Sequence, residues 1–238
     1  MIDIHHHLIW GVDDGAKDRD VSIAMIRRAV REGVTDIVCS SHTRPGQHDL
    51  NIDRYLRHME WLDSFIRAEG LDLTLHVGSE VMYTTHAAQH LKDGLVPTID
   101  AGWHVLVEFL PPTPHGNILR GLMDLEDAGF LPVLAHCERY QELRTGDRLA
   151  ELKRTTRATI QMNADTVIKA RGLMGDRWVR QVLRDELIDV VGTDAHSADS
   201  RPCRLGEAFV ALTGMLGEER ALDLCVRNPA KLLSSGGE

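Results

Sequence analysis

The chain has 238 residues, 43% of them hydrophobic and 26% charged, with a formal charge of −9. That length suits a single α/β domain spanning 1–238, and the balance is that of a soluble globular protein. The acidic field excludes nucleic acid and anionic membrane as partners drawn by overall charge, and no apolar run reaches the roughly 18 residues of a membrane span.

Thirteen histidines outnumber the tryptophans, tyrosines and phenylalanines together. The start, MIDIHHH, lacks the basic-then-apolar pattern of a signal peptide, and its histidines run into LIWGVDDG as native sequence rather than as a tag. Cys39, Cys137, Cys203 and Cys225 are scattered without a CxxC pair, which argues against a zinc ribbon and for the reducing cytoplasm.

In chain order, short Val/Ile/Leu-rich runs at 2–7, 36–40, 73–78, 104–109, 132–136, 159–163 and 188–192 predict strands buried on both faces. Amphipathic segments at 22–31, 52–69, 116–128, 177–184 and 205–216 predict helices. Gly33, Gly70 and Gly129 stand where left-handed caps are expected. Such alternation implies parallel strands with right-handed crossovers. A barrel of about seven strands leads, with a doubly wound open sheet as competitor.

The strand ends favour the barrel, because parallel barrels carry their sites there. The first ends in His5, His6 and His7; the second reaches His42; the third reaches Glu80; the fourth carries Glu108. The fifth gives His136, Glu138 and Arg139, the sixth Asn163, and the seventh Asp194 and His196. His5 and His7, two apart on a strand, share a face and suit one cation, with His6 opposite; a packed or exposed pair is the plain alternative. Glu80 and Glu108 are costly to bury unless paired or bound to a metal. Asp13 and Asp14 in GVDDG fit an ordinary turn equally well. Arg139 and Arg201 follow ligand motifs closely, and guanidinium forks suit phosphate oxygens. Of the other histidines, His76 alternates with Glu80 and is expected to face the site.

The stretches IDIHHHLIWGVDDG, SSHTRPG, GSEV, LVEF, AHCERY, QMN, GTDAH with its SRP, and NPAKLL resemble the polymerase and histidinol phosphatase (PHP) superfamily, and within it the CpsB/YwqE-type bacterial protein-tyrosine phosphatases of capsule and exopolysaccharide systems. The resemblance implies a distorted (β/α)7 TIM-like barrel with three divalent metal ions, manganese first, with iron, zinc or cobalt as alternatives. It implies one metal on His5, His7, Asp194 and bridging Glu80, a second on Glu80, Glu108 and His136, and a third on Asp14, His42 and His196. Arg139 and Arg201 would be the catalytic, phosphate-binding arginines. A glutamate at 108 fits this subfamily better than the histidinol phosphatases.

The implied reaction is metal-assisted hydrolysis of a phosphomonoester. The implied partner is a phosphotyrosine protein, a bacterial tyrosine kinase of capsule or exopolysaccharide synthesis. His6, Trp10 and Cys137 depart from the usual pattern. Trp10 is expected to flank the aryl ring of phosphotyrosine, against a simple packing role. The rival readings are a small-molecule phosphatase of the histidinol-phosphate type, a metallonuclease, and a binding domain without catalysis.

Overall fold

The computed structural model describes residues 1–172 and 175–233. Strand and helix alternate: β1 (Ile2–His6), α1 (Arg19–Arg31), β2 (Asp36–Cys39), β3 (His42–Thr43), α2 (Ile52–Ala68), β4 (Thr74–Val77), β5 (Glu80–Met82), α3 (Ala87–Lys92), β6 (His104–Glu108), α4 (His115–Asp127), β7 (Leu131–Leu134), α5 (Arg148–Thr155), β8 (Thr159–Asn163), α6 (Ala164–Ala170), α7 (Arg177–Arg184), β9 (Val190–Gly192), α8 (Leu205–Leu216), α9 (Glu218–Leu222) and α10 (Asn228–Leu233). Side-chain caps fix where helices start: Asp18 accepts from the Val21 N–H before α1, and Asn51 from the Arg54 N–H before α2. The expected left-handed glycines end α1, α2 and α4, with φ of +79° at Gly33, +64° at Gly70 and +96° at Gly129.

Every strand pair among the described residues is parallel. The ladders run β1-β2-β4 and β3-β5-β6-β7-β8-β9. The circle closes where β9 exits beside β1, with the Asp194 N–H on the His5 carbonyl (2.8 Å) and the His7 N–H on the Ala195 carbonyl (2.9 Å). This is the expected distorted barrel, with one difference. At the ends of the second and third predicted strands the ladder breaks and a short strand follows, so β3 continues β2 and β5 continues β4 with an offset. Tyr55 of α2 fills the break: its hydroxyl donates to the Cys39 carbonyl (2.8 Å) and accepts from the Gly78 N–H (3.1 Å). Backbone groups that lose their ladder partners are thereby satisfied.

Two apolar layers hold the barrel. Inside, Ile2, Ile4, Val38, Leu106, Val133 and Val190 meet Ile99 and Leu232, which plug the lower end. Outside, the alternate residues of the same strands pack against the helices, as Ile37, Val107, Leu134, Ile160 and Val191 do. Further along the inward face, side chains turn polar: Leu106 gives way to Glu108, and Ile4 to His5 and His7. The core therefore ends as the floor of a polar site at the C-terminal strand ends.

Candidate metal centre

The register of β1 shifts between Asp3 and His6. Such a bulge inserts a residue and re-aims the side chains beyond it. Asp3 and His6 consequently lie on one side, where the Asp3 carboxylate bonds His6 Nδ1 at 2.8 Å. His5 and His7 point into the barrel, their Nε2 atoms 3.2 Å apart. Gly192 makes room for this, since a Cβ there would stand 2.9 Å from that of His5.

Around Glu80 the predicted residues converge. Its Oε2 lies 3.1 Å from His5 Nε2, 3.2 Å from His7 Nε2 and 3.1 Å from His42 Nδ1. Its Oε1 lies 2.8 Å from His136 Nε2, which is also 3.5 Å from Glu108 Oε2. Asp194 Oδ1 stands 3.5 Å from His5 Nε2 and 3.6 Å from His7 Nε2. Asp14, mostly exposed on its loop, sits 3.4 Å from both His42 Nε2 and His196 Nε2. His5, His7, Glu80 and Asp194 thus form one group able to hold a cation, as the expected first set does. His42 stands with Asp14 and His196 as in the expected third set, through Nε2, and its Nδ1 also faces Glu80 and Glu108.

Two of these side chains leave their strands on left-handed backbone, His136 at φ +33° and Asp194 at φ +54°. For a residue with a Cβ this costs about 1–3 kcal/mol, and it persists where surrounding bonds over-determine it. Gln161 Oε1 accepts from the His136 N–H at 2.6 Å and lies 3.3 Å from His5 Nδ1. Its amide donates to Asn163 (2.8 Å), whose own amide donates to Asp194 (3.0 Å). This chain across β8 ties three strand ends together.

The electrostatics match a cation site. Burial disfavours charge on His7, but the Asp13 and Glu80 carboxylates outweigh it and hold the imidazole up at about 10. Burial likewise opposes the charged form of His136, yet Glu108 and Glu80 raise it to about 9. Glu80 itself is fully buried and is held well below the usual carboxylate range by the imidazoles around it. The concentrated negative charge that keeps these protons attracts divalent cations in their place.

Arg139 and Arg201 both reach Asp194, Arg201 at 2.9 Å, and each remains about two-fifths exposed. The Trp10 ring stacks on His58 of α2 at 3.9 Å and meets Trp61 edge-on. The cavity of about 400 Å³ beside His42 and Glu108 is walled by Val12, Leu50 and Met82. His76 corrects one expectation. It is held by Asp36 and Asp100, each at 3.1 Å, near the lower end of the barrel, because the break at Gly78 interrupts the alternation that linked it to Glu80.

The family model described as capsular polysaccharide synthesis, CpsB/CapC, matches residues 1–234. The chain belongs to this family. Among CpsB/CapC relatives, the tyrosine-protein phosphatase CpsB of Streptococcus pneumoniae is 30% identical over 239 residues, 98% of each chain. A crystal structure from the pair YwqE of Bacillus subtilis and CpsB of Streptococcus pneumoniae, described as unique metal-dependent tyrosine phosphatases, superposes with a TM-score of 0.89 at 27% identity, over 100% of this chain and 96% of the other. The histidinol phosphate phosphatase of Lactococcus lactis subsp. lactis Il1403 shares the fold alone, at 13% identity and a TM-score of 0.55 over 94% of each chain.

Several supporting residues carried little signal in the sequence. Gln161 sits in an apolar run, TIQMN, and only its inward parity marks it. Asp3 accepts from the Thr193 N–H (2.9 Å) and hydroxyl (2.5 Å), joining β1 to the exit of β9. No motif flags it.

Proposed function

We propose that this CpsB/CapC protein is a metal-dependent tyrosine-protein phosphatase with three divalent ions, manganese first, held by His5, His7, Asp14, His42, Glu80, Glu108, His136, Asp194 and His196. The observation that carries the reading is Glu80 Oε2. It is buried, lies within 3.2 Å of three imidazole nitrogens, and has no hydrogen-bond partner among the described residues. Nitrogens and a carboxylate oxygen that converge without hydrogen bonding are the donor set a cation satisfies. Divalent ions bound there supply Lewis-acid charge for phosphoryl oxygens and acidify water.

The chain's own residues do the remaining work. Arg139 and Arg201 bind the phosphoryl group: their planar forks match its oxygens, and both already converge on one side of the site at Asp194. Gln161 and Asn163 hold His5, His136 and Asp194 in place, so the binding geometry exists before substrate arrives. The cavity at Val12, Leu50 and Met82 receives the aryl ring and shields it from water. A phenol leaves with a pKa of about 10, lower than an alcohol, and no residue is assigned to protonate it.

The substrate in this reading is a phosphorylated tyrosine kinase of capsule or exopolysaccharide synthesis. The site of action is the cytoplasm, consistent with four free, buried cysteines. The test is phosphate release by metal-loaded protein from phosphotyrosine peptides and, side by side, from histidinol phosphate. Peptide is expected to be the better substrate by kcat/KM. Chelation and His136→Ala are each expected to remove more activity than the about 100-fold typical of losing a supporting residue. Activity that survives both overturns the reading, and a preference for histidinol phosphate replaces it with the small-molecule phosphatase.

A further inference from the structure

The β1 bulge puts Asp3 and His6 together on the side away from the barrel cavity. His6 is one of the departures from the usual motif, and the phosphatase reading gives it no role. Cys203, which the chain carries back past the exit of β9, completes a cluster there. All three residues are buried, Asp3 and His6 fully and Cys203 to 1% exposure. They offer a carboxylate oxygen, an imidazole nitrogen and a sulfur, and these donor atoms all lie within 4.8 Å of one another. Asp3 Oδ2 stands 2.8 Å from His6 Nδ1 and 4.0 Å from Cys203 Sγ.

The cluster is fixed from several sides. Thr193 donates its N–H and hydroxyl to Asp3. The His6 N–H donates to the Ser40 hydroxyl at 2.8 Å, and Arg28 of α1 donates through Nε to the Cys203 carbonyl at 3.1 Å. Donors held in place before a ligand arrives favour its binding.

Two features are left over once packing is accounted for. Asp3 is a fully buried carboxylate with no lysine or arginine ion pair among the described residues, its one charged neighbour being His6 if protonated. His6 Nε2 is buried and has no hydrogen-bond partner among the described residues. Buried carboxylates are paired or coordinate metals, and an unpartnered buried polar atom costs about 1–3 kcal/mol. A divalent cation answers to both the charge and the spare donor. One thiolate and one carboxylate balance it, so the filled site is neutral in its apolar surroundings. Sulfur also decides which ion. Thiolate is a soft donor that selects zinc over manganese, and zinc accepts cysteine, histidine and aspartate together.

We propose that Asp3, His6 and Cys203 hold a structural zinc ion, separate from the catalytic centre, that clamps β1 to the segment leaving β9. Binding converts the Cys203 thiol to a thiolate, its proton passing to solvent. Three protein donors leave the fourth tetrahedral position to water. The clamp lies behind His5 and His7 and locks the bulge that aims them. It is independent of what the catalytic centre hydrolyses.

Zinc is spectroscopically silent, so the test puts cobalt(II) in its place. The full chain is freed of metal in chelator and denaturant, then refolded with cobalt(II) and a phosphine reductant. A thiolate-to-cobalt charge-transfer band in the near ultraviolet is expected. The catalytic centre has no sulfur ligand, and Cys39, Cys137 and Cys225 join no ligand group among the described residues. Excess manganese is expected to leave the band in place, and excess zinc to abolish it. Cys203→Ser and His6→Ser are each expected to remove the band and one equivalent of bound cobalt, while Cys225→Ala keeps both. Should a serine variant refold poorly, the manganese and zinc titrations of the parent chain decide alone. A cobalt-loaded parent without the band, a band that manganese removes, or one that survives either serine substitution overturns the zinc site and leaves the phosphatase reading untouched.

Discussion

The carboxylate of Asp13 accepts from Nδ1 of His7 at 2.8 Å, and the same oxygen receives the His42 N–H at 3.0 Å. One loop residue therefore orients an imidazole on β1 and anchors the start of β3. Its other oxygen takes the Gly15 N–H at 3.0 Å, which closes GVDDG against His7. Gly15 is needed for this approach, since a Cβ would come within 2.5 Å of the His7 backbone and Cβ. With Nδ1 committed to Asp13, Nε2 is the nitrogen presented to a cation. Asp13→Asn keeps the shape and removes the charge. We predict a metal affinity about 10–100-fold weaker, read by competition with a chromophoric chelator, with far-UV circular dichroism unchanged. Unaltered affinity would show that Asp13 only shapes its turn.

The same pair predicts how the metal-stripped protein responds to pH. Burial penalises both charges, yet their mutual bond holds His7 up at about 10 and Asp13 down at about 2. The folded His7 value lies above the ordinary 6.5, so its contribution is complete below 6.5 and is lost as pH rises through about 10. The folded Asp13 value lies below the ordinary 3.8, so its contribution is present above 3.8 and is lost as pH falls through about 2. Tm in chelator is therefore expected to fall between pH 7 and 10, and the fall should be shallower in Asp13→Asn. Scanning calorimetry decides. A flat profile, or one that the substitution leaves alone, removes the charged pair as its cause.

Legibility of the site followed strand parity, and failed where parity is broken. The strand ends named His5, His7, Glu80, Glu108, His136, Asp194 and His196, because ligand-type residues closed apolar runs and a parallel barrel collects such ends in one place. The β1 bulge did not spoil the reading, since beyond it His5 and His7 still share a face, now the cavity side, and His6 lies opposite with Asp3. The break after Val77 did spoil it for His76, which parity had aligned with Glu80. Two-residue strands such as β3 are too short to show periodicity, so the double-sided place of His42 was invisible in advance. For Trp10 the ring partners His58 and Trp61 lie on α2, far along the chain, and only the packed fold reveals them. Gln161 and Tyr55 act on backbone groups of distant segments, and no sequence pattern encodes that.

Tyr55 leads to a last prediction. Its hydroxyl serves both broken strands, donating to the Cys39 carbonyl and accepting from the Gly78 N–H, and burial raises its pKa well above the ordinary value so that it stays protonated. Tyr55→Phe keeps the ring in its fully buried place and leaves both backbone groups without that partner. An unsatisfied buried polar group costs about 1–3 kcal/mol, and for a chain of this size each kcal/mol lowers Tm by about 2–4 °C. The expected loss is therefore several degrees, read by thermal unfolding of the metal-free protein. The same break sets where β3 and β5 begin, and these deliver His42 and Glu80, whose Nδ1 and Oε2 stand 3.1 Å apart. Metal affinity in Tyr55→Phe is expected to fall together with stability, while a surface control of comparable stability loss, such as Val210→Pro inside α8 at about 3 kcal/mol, keeps its affinity. If both variants retain affinity, the tyrosine holds the sheet together without aligning the ligands; if Tyr55→Phe melts with the parent chain, the break is satisfied by other means.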